Sequence, residues 1–375
     1  MQFVHETLAQ RVLLGSGQAA TAVAAEVVRL ERRRVMLIHG VAEAALAQRV
    51  AADLPVTLHW DEVRQHVPLE LARRARIAAR DAGVDVIVSV GGGSTTGLAK
   101  AVALEVDVPI VAVPTTYAGS EATPVWGLTD DGVKSTGVDP TVLPAAVIYD
   151  AALTTSLSID LTVASGLNGL AHCVDSLWAP RADPINLAMA LEGARALASG
   201  LPAVAAEPED LEGREQCLYG AYLAALAFAS AGSGMHHKIC HVLGGGFDLP
   251  HAPTHAVVLP YVLAHNAPAV PDLAGRLALA LGATQSGVVA DPARAAVEAL
   301  EALCTGLGAP DSLGGIGLAE TDLPECAARC LPVIPDSTPV PVTEASLTAL
   351  LRAAWAGDPP TAPAQSHPEP TKESS

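Results

Sequence analysis

Short, almost wholly apolar runs alternate with amphipathic stretches through the first 150 residues, and this alternation constrains the fold more than any other feature of the chain. The apolar runs are Val35–His39, Val56–Trp60, Val84–Val90, Pro109–Pro114 and Ala145–Tyr149, each bounded by turn residues or charge. Helical patterns lie between them at Ala19–Arg33, Ala42–Ala52, Leu69–Ala82 and Thr96–Leu104. A strand that is apolar on both faces needs cover on both, and helical crossovers supply it. The pattern predicts a doubly wound parallel α/β sheet, whose ligands bind at the carboxyl ends of the strands.

Beyond about residue 160 the periodicity changes. Ala/Leu-rich helical windows succeed one another, with turn signals at Pro180–Pro184, Ser199–Pro202, Pro208, Gly244–Pro250 and Pro268–Pro271. The reading is an α/β domain over residues 1–151, an all-helical domain over 152–356 and a disordered tail over 357–375. A chain of 375 residues is long enough for each domain to bury its own core.

Composition excludes some functions. Mean hydropathy is +0.35, yet no apolar run reaches the ~18–20 residues of a membrane span. Met1–Glu6 shows no basic region leading into an apolar core, so no secretory signal is expected. A net charge of -18 argues against nucleic acid or an anionic membrane as partner. The six cysteines form no CxxC pair, which suits buried thiols in a reducing cytoplasm.

Two loops carry the first chemical signal. The run ending at Val90 leads directly into Gly91-Gly92-Gly93-Ser94-Thr95-Thr96 and then a helix. Glycines there let the backbone turn tightly and present bare N–H groups, and the following helix N-terminus favours a pyrophosphate. After the next strand, Pro114-Thr115-Thr116-Tyr117-Ala118-Gly119-Ser120-Glu121 places hydroxyls and a glycine at the same sheet edge. The end of Val35–His39 carries no acidic residue to bind a ribose 2′-hydroxyl, so NADH and NADPH both stay open.

The second signal is a histidine constellation. Asn168 and His172, His237 and His241, and His251 and His255 each stand four apart, so each pair shares a helical face. With His236, half of the twelve histidines fall between His172 and His255. Paired imidazoles on one face suit a divalent metal or acid–base chemistry.

These residues resemble the iron-containing alcohol dehydrogenase superfamily, and within it the maleylacetate reductase branch, over about residues 10–358. The resemblance rests on Val90–Ser94, on Pro114–Trp126, and on Ser165–His172 with Met235–His241 and His251–His255. It implies a dinucleotide-binding domain, a helical catalytic domain and an active site in the cleft between them. Gly91, Gly92, Gly93, Ser94, Thr95, Thr115, Thr116, Ser120 and Lys134 would line the site of NADH or NADPH. In metal-dependent relatives an aspartate and three histidines hold iron or zinc. Those positions are Asn168, His172, His237 and His251 here, with His241 a further active-site histidine. Asparagine is a neutral, weaker ligand than aspartate, and the maleylacetate reductase branch shares it; a tightly bound metal is therefore not expected.

The resulting expectation is an NAD(P)H-dependent reductase of maleylacetate (to 3-oxoadipate) or a related oxo-acid, cytoplasmic and homodimeric. Asn168, His172, His237, His241 and His251 are its catalytic group, with one protonated imidazole as electrophile and general acid. Lys134, Lys238, His236 and Arg181 are candidate carboxylate anchors. Two departures from the family pattern bear on substrate: Tyr261 after Pro260, and no arginine in Ile334–Pro339. The competing readings are a metal-dependent alcohol dehydrogenase and a lyase, synthase or biosynthetic relative that keeps the cleft without hydride transfer.

Overall fold

The computed structural model describes residues 2–130 and 133–361. Its main sheet has six strands: β1 (Arg11–Leu14), β2 (Val35–His39), β3 (Val56–Trp60), β4 (Val86–Gly91), β5 (Ile110–Pro114) and β8 (Ala146–Tyr149). Their order is β1-β8-β5-β4-β2-β3 and every pairing is parallel. Helices α1 (Ala19–Arg29), α2 (Ala44–Val50), α3 (Leu69–Asp81) and α4 (Gly93–Val106) are the crossovers.

The alternation of side chains along β2 explains the two-sided cover. Val35 and Leu37 join Val23, Val27 and Ala47 of α1 and α2 in one core. Met36 and Ile38 join Leu71, Ala75 and Leu98 of α3 and α4 in the other. Edge strands escape this rule. β3 is covered on one face, and β1 is mostly exposed, so the four residues RVLL carry no continuous apolar run that sequence patterning could detect.

Also absent from the sequence-based expectation is a two-stranded antiparallel ribbon, β6 (Val125–Asp130) with β7 (Val133–Val138). It projects from the loop after β5, and β6 buries only Leu128. A ribbon with so little buried surface leaves a weak periodic signature.

From Ile159 onward the described residues are helical. The first five helices are α5 (Ile159–Ser176), α6 (Pro184–Ala206), α7 (Leu211–Ala231), α8 (Met235–Phe247) and α9 (His251–Asn266). Five more follow: α10 (Pro271–Ala280), α11 (Gln285–Ala290), α12 (Pro292–Gly306), α13 (Leu323–Cys330) and α14 (Glu344–Ala356). No single helix among the described residues is long and apolar enough to cross a membrane.

The expected tail begins later than residue 357. Gly357 caps α14 at φ 74°, and Asp358 donates its N–H to Ala353 O and accepts from Tyr261 Oη at 2.8 Å. Residues 362–375, the rest of that expectation, lie outside the described residues.

Candidate active site

The sheet winding locates a crevice. From β2 the chain moves outward to β3, whereas from β4 it moves the other way to β5 and β8, so the β2/β4 boundary is the topological switch point. Parallel register sets His39 opposite Val90, and Gly91 opposite Pro114, so three strand ends lie level. Helix α4 then starts at Gly93, and no side chain caps it, which leaves its N-terminal amides facing an anion site.

The two loops meet there as expected. Thr115 N–H donates to Gly91 O at 3.1 Å. A β-carbon on Gly91 would strike the Thr95 side chain, and one on Gly92 would lie 2.9 Å from Thr116 Cγ2. Gly91–Thr95 and Thr115–Thr116 therefore form one surface. Ser120 stands beyond them at the start of a 3-10 turn. Lys134 is on β7 opposite Thr129; its side chain lies outside the described residues.

Two residues here escaped the sequence reading. Lys100 of α4 is fully buried, and its Nζ donates to Ser120 O (2.6 Å), Thr123 O (2.7 Å) and Val125 O (2.8 Å). It thereby ties the helix under the glycine loop to the threonine loop and the ribbon. Burial pushes its ammonium down to about 7, against the pull of Glu121. The only sequence signal was the rarity of lysine, four in the whole chain. Glu43 corrects the statement that the end of β2 lacks an acid. It folds back from the start of α2 so that a carboxylate oxygen lies over Gly40, where a β-carbon would stand. Three residues separate it from the strand end, and only the backbone turn brings it back.

The threonine loop rests on the helical half. A β-carbon on Gly119, at φ 76°, would lie 2.6 Å from Ala225 Cβ of α7. One on Gly169 of α5 would lie 3.7 Å from Tyr117 O. The loop therefore ends next to Asn168, and one helical turn from Phe228.

Three helices bring the histidines together. His172 (α5) stacks on His237 (α8), centroids 4.7 Å apart, and Phe228 of α7 lies 4.6 and 4.3 Å from the two rings. His237 is 4.8 Å from His255, which is 4.3 Å from His251, and His251 stacks at 6.5 Å on His241. The four sequence-predicted catalytic histidines are thus in one cluster, which His255, His236 and Phe228 complete.

The cluster is graded by exposure. His236, His237 and His255 are buried, His172 is half-buried, and His241 and His251 are exposed. Burial drives His172 down to about 3 and His237 and His255 well below the ordinary histidine value, and neighbouring imidazoles add to the effect. His172 and His237 are therefore neutral near pH 7, which removes them as the protonated electrophile expected from sequence. Asn168 Oδ1, His172 Nδ1, His237 Nε2 and both His255 nitrogens are buried with no hydrogen-bond partner among the described residues. Such orphans await a ligand.

A metal is one candidate for them. His236, His237 and His255 hold ring nitrogens within 4.8 Å of one another. His236 Nε2 is already 3.0 Å from His255 O, whereas the 2.8 Å contact of His237 Nδ1 with Asp175 Oδ2 leaves His237 Nε2 available. In the family's ligand positions, His172 and His237 are only 15° from parallel. Imidazole lone pairs lie in the ring plane, so stacked rings aim side by side and not at one point. Asn168 adds no negative charge. As arranged, the family's ligand positions converge poorly and carry no charge to offset a dication.

The remaining expectations resolve by location. Arg181 is exposed and donates to Ser230 O and Ala229 O at the end of α7, so it serves as a helix cap. Lys238 is half-buried on α8. Tyr261 sits ten residues along α9 from His251, ~15 Å away, and faces Asp358. The segment without arginine leads to Val340, whose N–H donates to Asn266 at the far end of α9.

Comparison with known proteins agrees with this architecture. Residues 9–151 match the family model for iron-containing alcohol dehydrogenase, and residues 162–355 the model for the C-terminal part of the Fe-containing alcohol dehydrogenase family. The chain is 43% identical to a maleylacetate reductase of Sphingobium indicum over 363 residues, 96% of this chain and 99% of that one. Among solved structures, an iron-containing alcohol dehydrogenase from Corynebacterium glutamicum superposes with TM-score 0.90 at 52% identity, covering 95% and 97% of the two chains. Maleylacetate reductase from Rhizobium sp. strain MTP-10005 superposes with TM-score 0.89 at 41% identity, covering 96% and 99%.

Proposed function

The chain belongs to the iron-containing alcohol dehydrogenase family, and from that membership we propose that it is a nicotinamide-dependent reductase of maleylacetate. The relatives at 41–44% identity that span almost its whole length carry that name. The observation that carries the reading is the set of buried, unpartnered polar atoms on Asn168, His172, His237 and His255, beside the loop that reaches the glycine turn. Asn168 brings no negative charge to the ligand positions, which makes a metal-dependent alcohol dehydrogenase the weaker reading, although three neutral imidazoles can hold zinc. The loop geometry at the switch point argues for cofactor binding and against a cleft that has lost hydride transfer.

Reduced nicotinamide, when bound, supplies the hydride. The chain's part is to hold a conjugated oxo-acid in the cleft, exclude water and deliver a proton. Phe228 and the buried imidazoles wall off the interior. Neutral His172 and His237 with Asn168 orient the substrate, while exposed His241 and His251 at the mouth exchange protons with solvent. Lys134 and Lys238 remain candidates to hold the substrate carboxylates, whereas His236, fully buried with its Nε2 on His255 O, does not. Glu43 beside the β2 end favours NADH, since a carboxylate accepts a ribose 2′-hydroxyl and repels a 2′-phosphate. The six free cysteines suit a reducing cytoplasm, and exposed Val12 and Leu14 on edge strand β1 suit a homodimer.

The test is a spectrophotometric assay of NADH and NADPH oxidation with maleylacetate, other oxo-acids and aldehydes, with metal content measured on the same sample. Maleylacetate-dependent NADH oxidation that survives chelation is the expected result. Activity lost on chelation and restored by iron or zinc would establish the metal-dependent alternative. Binding of neither nicotinamide cofactor would sink the proposal.

A further inference from the structure

Helix α5 carries a third polar residue on the face of Asn168 and His172. Asp175 is seven residues from the first and three from the second, so all three side chains point the same way. It is fully buried, and among the described residues no lysine or arginine forms an ion pair with it. Its Oδ1 receives His236 N–H at 3.1 Å. Its Oδ2 receives Gly234 N–H and His237 N–H, each at 3.1 Å, and lies 2.8 Å from His237 Nδ1.

The backbone contacts form a helix cap supplied from another helix. Gly234 is the N-cap of α8, and no side chain of that segment caps it. A β-carbon at Gly234 would stand 2.5 Å from Asp175 Oδ1, so only glycine lets the carboxylate close on the helix end. Burial pushes the Asp175 carboxyl up, while His236 and the backbone N–H groups pull it down. Both oxygens are engaged by amide donors, which a carboxylate accepts and a protonated carboxyl would meet with its own hydrogen.

The consequence falls on His237. An ionised Asp175 can only accept, so Nδ1 of His237 carries the proton and Nε2 carries the lone pair. That Nε2 is buried with no hydrogen-bond partner among the described residues, on a ring stacked with His172. We infer that Asp175 is a positioning residue that locks His237 in the Nδ1–H tautomer and presents Nε2 to the substrate as an acceptor. This assignment rests on the reductase reading for its kinetic meaning but not for its structural content.

The test uses the intact enzyme and has two arms. In histidine-labelled wild type, two-dimensional 15N–1H spectra assigned with His237→Gln should show His237 with a pyrrole-like Nδ1 and a pyridine-like Nε2. A protonated Nε2 in the neutral ring would overturn the inference, whatever the enzyme turns over. In Asp175→Asn an NH2 at the Oδ1 position meets the His236 N–H, whereas at the Oδ2 position it meets the Gly234 and His237 N–H groups and also moves the His237 ring proton to Nε2; either arrangement loosens the hold on the ring. Turnover with maleylacetate should then fall about a hundredfold or more, with the cofactor dissociation constant within about twofold of wild type. Asp175→Glu, which can still accept, should recover part of the rate and the wild-type spectrum. If Asp175→Asn shifts the tautomer yet keeps turnover within about threefold, the lock has no role in the reaction and the inference fails. If wild type reduces no oxo-acid, the function proposal fails while the spectrum still decides the tautomer.

Discussion

Burial divides residues of one chemical type into different jobs. His241 and His251 meet solvent, whereas His237 and His255 are enclosed and held neutral, and His172 lies between them with its value driven to about 3. His172→Ala and His241→Ala should each lower turnover by roughly 10²–10⁴, the usual worth of an acid–base group. Cofactor affinity measured by fluorescence titration should be unchanged; if both variants keep near-full rates, the cluster is structural. Glu43 allows a separate test, since it lies at the end of β2, the strand paired with β4 ahead of the glycine loop. Glu43→Gln removes the charge that repels a 2′-phosphate. The ratio of kcat/KM for NADH over NADPH should fall by about tenfold, or ~1.4 kcal/mol.

Among the elements, α4 and the threonine loop form a unit that Lys100 closes. Its ammonium satisfies three carbonyls of one loop, and replacing it with methionine leaves those acceptors buried and unpaired. Lys100→Met should cost about 1–3 kcal/mol of stability by urea denaturation. It should also weaken cofactor binding more than it changes the KM for maleylacetate, because the loop it holds faces the glycine turn. Equal loss on both would mean that Lys100 supports the fold without shaping the cofactor surface. The ribbon β6–β7 hangs from the same anchor through Val125 O, which accounts for a lysine buried so deeply in a chain with so few.

The whole molecule should respond to acid through its buried imidazoles. Their folded-state values lie below the ordinary 6.5, so the unfolded chain takes up protons that the folded chain refuses. Stability contributed by these groups is complete above pH 6.5 and is lost as pH falls towards about 3. Asp175 and Glu121, raised by burial, act in the opposite sense above the ordinary carboxylate range. Urea midpoints should drop between pH 7 and 5, and His172→Gln should flatten the slope by up to about 1.4 kcal/mol per pH unit. An unchanged slope would show that His172 does not stay neutral in the fold. The sequence by itself determined the two-sided strands, their helical crossovers, the glycine and threonine loops and the i,i+4 histidine pairs, because local periodicity and spacing encode them. β1 and the ribbon were not legible, since strands with little buried surface carry no strong pattern. Asp175 was faintly legible as the i+7 partner of Asn168, while Glu43, Lys100 and Phe228 were not. Their roles depend on which distant backbone or ring they face, and on how far each is removed from water. Only the tertiary fold decided those things, and the packing of α5, α7, α8 and α9 divided the evenly spaced histidines into enclosed and solvent-exposed groups.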